Sequence, residues 1–260
     1  MIIDGHTHIF EAGRGGPLDL PCSADDLVRA MDSAGIDLSI VIPLPGVASN
    51  DFVHRECARF PDRLRAIYTP EFEDPSGTIA KLERFFGQWQ PRGLKIHPRV
   101  QHVTASDSIV RETLSWAETR CLPVIFDVFP FGAELDILAL QPLAYHPIAQ
   151  NCRQLKIVLA HAGGYRLMEA FMVAKSNPNV YLDISFTPLY FQGSSLLNDC
   201  GFLCRRLPPG RVLYGSDFPH TQMGDSLTLA RQLLAETSES VVGEVLGGAA
   251  ARLFGNGDKL

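Results

Sequence analysis

Met1-Ile2-Ile3-Asp4-Gly5-His6-Thr7-His8-Ile9-Phe10 sets two histidines one residue apart at the end of a short apolar run. Along a strand successive side chains point to opposite faces, so Asp4, His6 and His8 are expected on one side. If that strand lines a barrel, both imidazoles point inward at its C-terminal end, where one divalent ion can take both. Standing alone, a His-x-His pair is more often an ordinary pair of strand or turn histidines. The decision rests with the remaining residues.

Downstream, short apolar runs alternate with helical stretches. Ser23-Ala24-Asp25-Asp26 reads as a cap opening a helix to about Ala34, closed by Gly35. Strands are expected at Leu38 to Pro43, Leu64 to Tyr68, Gly93 to Pro98, Pro123 to Asp127, Lys156 to Ala160, Val180 to Ile184 and Arg211 to Gly215. Helices are expected at Val47 to Phe60, Pro75 to Gly87, Ser108 to Arg120, around Ala139 to Cys152, after Gly163-Gly164, at Ser226 to Glu236 and at Val241 to Phe254. With the opening strand that makes eight βα repeats. Such alternation forces parallel strands with right-handed crossovers, and eight strands close a barrel. The expected fold is an α/β, (β/α)8 TIM barrel in a single domain spanning residues 1–260. An open doubly wound sheet is disfavoured, because no strand is followed by Gly-x-Gly-x-x-Gly.

Composition agrees with one large soluble domain: 260 residues, 46% hydrophobic and 20% charged. A net charge of -6 argues against nucleic acid or an anionic membrane as the main partner. No long apolar run suggests a membrane span, and Asp4 interrupts the opening apolar residues too early for a signal peptide. The six cysteines form no Cys-x-x-Cys pair and are expected to be reduced and mostly buried. The expected setting is cytoplasmic and the expected partner a small molecule, with assembly into a homo-oligomer left open.

Placed on this frame, His6, His8, Lys95, His97, Asp127, His161, Asp183 and Asp217 fall at or near C-terminal strand ends, where such barrels build active sites. Lys95 and His97 share parity and can both point inward. Buried charged and imidazole groups need partners or a metal, and imidazoles with carboxylates are the usual donors for zinc, with manganese or iron also fitting. His54, His102 and His146 lie in helices or loops and are expected at the surface. The Gly- and Pro-rich loop from Glu11 to Pro21, directly after the first strand, is expected to cover the site, and it shares control of specificity with the loop from Val128 to Leu138.

The segments Asp4-Gly5-His6-Thr7-His8, Gly93-Leu94-Lys95-Ile96-His97-Pro98, Ala160-His161-Ala162-Gly163-Gly164 and Gly215-Ser216-Asp217-Phe218-Pro219 together resemble the amidohydrolase superfamily. The similarity is to the branch that includes aminocarboxymuconate-semialdehyde decarboxylase. The resemblance implies a mononuclear metal site with His6, His8 and Asp217 as ligands, and His161 as a base or partner near the metal-bound water. That branch usually ends its fifth strand with a ligating His, where this chain has Asp127. Asp127 could ligate through oxygen, and two imidazoles with two carboxylates would then neutralise a divalent charge and acidify bound water less. A second departure is Gly247-Gly248-Ala249-Ala250, where the family often has Asn and where only local capping is expected to change.

The functional expectation is therefore a metal-dependent hydrolase acting on a small organic acid, lactone or amide, with one divalent ion, zinc or alternatively manganese. Asp217 and His161 are the expected catalytic groups. Lys95, as an ammonium binding substrate carboxylate or pairing with Asp127, and His97 are the expected substrate contacts. The alternatives are metal-dependent non-oxidative decarboxylation, metal-free lactone hydrolysis, and a barrel that binds a ligand without turnover.

Overall fold

The first helix forms where its caps demand it. In the computed structural model, which describes residues 1–131 and 140–255, it spans Ala24–Ala34. Ser23 Oγ accepts the Asp26 N–H and Asp26 accepts the Ser23 N–H, while Gly35 ends the helix at φ 72°. The reciprocal pair satisfies two of the four amide donors that a helix start leaves free. Its apolar face, Leu27 and Met31, is fully buried against the barrel, on the order of 2 kcal/mol per side chain.

Among the described residues there are ten strands: β1 (Ile3–Thr7), β2 (Arg14–Gly15), β3 (Leu20–Pro21), β4 (Leu38–Val41), β5 (Leu64–Ala66), β6 (Leu94–Ile96), β7 (Val124–Asp127), β8 (Ile157–Ala160), β9 (Val180–Asp183) and β10 (Val212–Leu213). Setting aside the small antiparallel β2–β3 hairpin, eight strands remain and all their pairings are parallel. They form runs β1-β4-β5 and β6-β7-β8-β9-β10. Two seams join the runs. At one, Tyr68 bridges Leu94, with Tyr68 N–H to Gly93 O at 2.9 Å. At the other, Thr7 bridges Phe218 and Gly5 N–H reaches Tyr214 O at 2.9 Å. The result is the expected closed (β/α)8 barrel.

The strands are shorter than the apolar runs that announce them, because residues such as Pro43, His97 and Gly215 already curve into the loops above. Between barrel and helices lies the larger apolar cluster, holding Val41, Ala66, Ile96, Phe126, Leu159 and Leu182. Inside lies a second cluster of Ile40, Ile42, Ile67, Ile125, Val158 and Leu213, met by Ala249, Leu253 and Phe254 of the closing helix Ala249–Phe254. Lys95, Ile125 and Val158 share one register row, and Asp127 stands the next inward step up its strand. The interior thus turns from apolar to ionisable in a single layer.

Several local expectations change. The loop after β1 carries the β2–β3 hairpin. The helix expected at Val47 to Phe60 is Asn50–Cys57, and the one at Pro75 to Gly87 is a 3-10 turn followed by Thr78–Trp89. His102 and His146 are exposed as expected, but His54 is buried, with its ring 4.8 Å from that of Phe85. Gly247 does more than affect capping. A Cβ there would stand 2.5 Å from Met1 O, so glycine lets a π-helical turn, Glu244–Gly248, cross directly under the start of β1. The loop expected over Val128 to Leu138 lies mostly outside the described residues, as does Ala139. None of the six cysteines is bonded to another; Cys22, Cys57, Cys200 and Cys204 are buried and Cys121 is exposed. No described helix is long and apolar enough to cross a membrane.

Candidate active site

His6 lies in β1 and His8 just beyond it; Lys95 is in β6 and His97 follows it. Asp127 and Asp183 end β7 and β9, His161 follows β8, and Asp217 lies beyond β10. All eight are buried. Strict alternation along β1 does not hold, since its register slips between Asp4 and Thr7. Such an irregularity re-aims side chains beside a site. Asp4 faces the segment after β10, its Oδ1 accepting N–H groups from His6 at 3.1 Å and Ser216 at 2.8 Å. Burial, against those hydrogen bonds, pushes its carboxyl up to about 7.

The two histidines nevertheless converge. His6 Nε2 stands 3.6 Å and His8 Nε2 3.3 Å from Asp217 Oδ1. Each ring is oriented from behind. His8 Nδ1 lies 2.8 Å from the Ile42 carbonyl, which can only accept, so Nδ1 carries the proton. His6 Nδ1 lies 2.6 Å from Asp183 Oδ2. Burial holds His6 well below the usual histidine range, which makes it neutral, with the proton on Nδ1 and the lone pair on Nε2. In the neutral state both rings therefore aim lone pairs at a carboxylate oxygen, an arrangement that calls for a cation among them. His161 joins the same group, since ligand atoms of His6, His161 and Asp217 lie within 4.8 Å of one another. His8, Asp217 and His220 form a second such set. Imidazole nitrogens with one carboxylate, each ring tied down from behind, fit a divalent ion such as zinc or manganese. Burial tends to raise the Asp217 carboxyl, but its contact with His8 and the charges of His220, His161 and His6 outweigh that and hold it low.

Asp127 stands outside both sets. Its Oδ2 lies 3.1 Å from His97 Nε2 and 3.4 Å from His161 Nε2, and its Oδ1 accepts the Phe129 N–H at 3.2 Å. Burial opposes its ionisation, but His97, the hydrogen bond from His161 and Lys95 together hold it well below the carboxylate range. Burial pushes His97 down to about 3 despite that carboxylate, so its ring is neutral and donates from Nε2. The Asp127 oxygen thus faces two imidazoles, one of them His161 of the first set. For His161, burial works against the charged form, but the hydrogen bond to Asp127 and the charge of Asp217 raise it overall. His161 and Asp217 both have positive φ, 57° and 63°, and non-glycine residues held in that region cluster at functional sites.

These residues line a cleft of about 310 Å³. Phe129 and Phe186, whose ring centroids are 5.1 Å apart, share its apolar lining with Leu44, Val47, Val100 and Pro17 from the loop after β1. Lys95, 1% exposed, has no hydrogen-bond partner for Nζ among the described residues, and burial lowers its pKa despite the carboxylates of Asp127, Asp183 and Asp217. Sequence reasoning passed over Arg99 and Ser185. Arg99 lines the same cleft, its Nε buried without a partner among the described residues. Its only signal in the sequence was its place two residues after His97. Asp183 and Ser185 lie against His6 and His161, a relation that no spacing revealed.

An amidohydrolase family model matches residues 3–256. No curated protein sequence matches the chain. Among solved structures, an uncharacterised TIM-barrel protein from Bordetella bronchiseptica superposes with a TM-score of 0.83 at 18% identity, covering 97% of each chain. A probable 2-pyrone-4,6-dicarboxylic acid hydrolase from Acinetobacter baumannii, with citric acid bound, has a TM-score of 0.74 at 16% identity, covering 98% of this chain and 99% of its own. A dihydroxybenzoic acid decarboxylase from Polaromonas, with manganese and the inhibitor 2-nitroresorcinol, has a TM-score of 0.73 at 17% identity, covering 97% and 96%. At such identities these likenesses speak for the fold. The family match, running along nearly the whole sequence, adds that this chain belongs to the amidohydrolase family.

Proposed function

We propose that this protein is a metal-dependent hydrolase of a small organic acid, lactone or amide. The observation that carries this reading is the convergence of His6 Nε2, His8 Nε2 and Asp217 Oδ1 at the mouth of the barrel. His6, His8 and Asp217 would hold the ion, zinc or manganese, with His161 Nε2 beside them. When bound, a divalent ion supplies Lewis acidity toward a carbonyl and lowers the pKa of water.

The chain's own groups do the rest. Asp217 and His161 are the groups placed to take and return protons, His161 at Nε2 between Asp217 and Asp127. Asp127 keeps His97 and His161 in place from the far side. Arg99, whose Nε has no partner among the described residues, and Lys95, whose Nζ has none there, orient an anionic substrate group, with His97 alongside. Phe129 and Phe186 exclude water and offer flat apolar surface to the substrate.

Decarboxylation of an unsaturated or aromatic acid at the same centre is the second reading. It draws on the phenylalanine wall, since an apolar surround favours charge dispersal from a carboxylate. The Acinetobacter and Polaromonas neighbours, named respectively as a hydrolase and a decarboxylase, represent both chemistries on this barrel.

The test is elemental analysis of the purified protein, followed by assays with lactones, amides and aromatic acids that track acid production and carbon dioxide release separately. About one metal ion per chain and acid production lost to a chelator support the hydrolase. Carbon dioxide release moves the assignment to the decarboxylase. Full activity under a strong chelator, or a tightly held ligand with no turnover and no metal, overturns both.

A further inference from the structure

We propose that His220 supplies a further ligand to the ion held by His6, His8 and Asp217. The inference rests on the metal-centre reading above and extends the ligand shell beyond the strand ends, to the loop after β10.

His220 lines the same cleft as the strand-end histidines. Ligand atoms of His8, Asp217 and His220 all lie within 4.8 Å of one another. His220 Nδ1 stands 3.8 Å from Asp217 Oδ2, while His8 Nε2 and His6 Nε2 stand 3.3 and 3.6 Å from Oδ1 of the same carboxylate. Donors bound to one zinc ion at about 2.0–2.2 Å are themselves roughly 3–4 Å apart, so the three separations fit a single shell. At 3.8 Å the His220 nitrogen is too far from Asp217 for a hydrogen bond, and it is buried with no other partner among the described residues. A buried nitrogen without a hydrogen bond is costly unless something else bonds it, and a cation beside the carboxylate does so.

The loop is built to present Asp217 and His220 together. His220 N–H donates to the Asp217 carbonyl at 2.8 Å and Thr221 Oγ1 to the Ser216 carbonyl at 2.5 Å, which closes residues 216–221 into a tight turn. That turn is fastened twice to the segment carrying the first two histidines, by Asp217 N–H to His6 O at 2.8 Å and His8 N–H to Phe218 O at 2.7 Å. The β2–β3 hairpin packs against it. At Gly16, φ 74°, a Cβ would stand 2.8 Å from Pro219 O and 3.4 Å from His220 N, so glycine serves both the backbone conformation and the close approach. The His220 ring meets those of His8 and Phe10 edge to face, at centroid distances of 5.6 and 6.0 Å. Backbone and neighbouring rings together hold the imidazole beside Asp217 Oδ2.

The test uses the full-length protein stripped of metal, with zinc affinity from competition with a chelator and the bound imidazoles counted by X-ray absorption at the zinc edge. His220→Phe keeps a ring against His8 and Phe10 but offers no donor; His220→Ala removes both. The side chain is 27% exposed, so neither change empties a core position, and if one variant does not fold the other carries the test. Both should bind zinc more than about 100-fold more weakly, beyond the 10- to 100-fold that loss of a residue behind a ligand costs, and both should show one imidazole fewer than the wild type. Where the affinity loss is smaller, the imidazole count decides. An unchanged count in either variant, or weaker binding in His220→Ala alone, overturns the proposal and leaves the metal-centre reading standing. A wild type that binds neither zinc nor manganese removes that reading and this inference with it.

Discussion

Asp127 Oδ2 lies 3.1 Å from His97 Nε2, and the other nitrogen of that ring, Nδ1, is buried with no partner among the described residues. A neutral histidine tied to a carboxylate at one nitrogen has the other directed by it. Asp127→Asn keeps the shape and removes the charge. The expected outcome is retained metal with kcat lower by about 10- to 100-fold, since the partners behind catalytic groups typically matter to that extent. Elemental analysis beside steady-state kinetics checks it. Loss of the metal would instead assign Asp127 to the ligand shell.

Arg99 brings a guanidinium to the cleft with Nε unpaired among the described residues. For an anionic substrate, Arg99→Gln should raise KM by about 10- to 100-fold and change kcat far less, corresponding to a lost charge-assisted hydrogen bond of roughly 1.5–3 kcal/mol. A neutral ester or amide of the same skeleton should show little difference between the two proteins. Equal losses on both substrates would give Arg99 a purely structural role.

Gly215 allows three side chains to meet behind the site. In Gly215→Ala the new methyl would face His6 Cβ at 2.7 Å and Asp183 Oδ1 at 3.0 Å. Overpacking of this kind is expected to destabilise by about 1–3 kcal/mol. Because His6 must move, metal content should fall along with the melting temperature. A stable variant with full metal content would show that this contact relaxes freely.

His54 is far from the cleft and gives the protein an acid-sensitive stability. Burial, against its bond to the Asn50 carbonyl, lowers its pKa from 6.5 to about 4. Between those values the unfolded chain binds the proton and the folded chain does not. The stabilisation from a neutral His54 is thus complete above pH 6.5 and is lost as pH falls toward 4, on the order of 3 kcal/mol in all. Urea unfolding of the wild type and His54→Gln at pH 7 and pH 4 measures it. The wild type should lose more than the variant over that interval, and parallel curves would remove the assignment.

Much of the barrel was legible in the linear chain. Runs such as Val124-Ile125-Phe126-Asp127 and Ile157-Val158-Leu159-Ala160 are apolar on both faces, as parallel strands buried on both sides must be, and each is followed by a helix. The Ser23 cap and the Gly35 stop mark the first helix to the residue because both act through neighbours within a few positions. His54 was misplaced because burial of a helix face depends on what packs against it, here Phe85 from a different helix.

The order of strands and the list of strand-end ionisable residues are properties of local pattern, and the sequence alone settled them. Which residue bonds which was decided only by barrel closure. The slip in β1 redirects Asp4 toward Ser216, Ser185 comes between His6 and His161 from beyond β9, and Asp127 finds His97 and His161 across neighbouring strands. The physical reason is that hydrogen bonds and ion pairs depend on tenths of an ångström and on direction. Those are set by register, twist and close glycine contacts between distant segments, and periodicity along a chain encodes only which side of a strand a residue occupies.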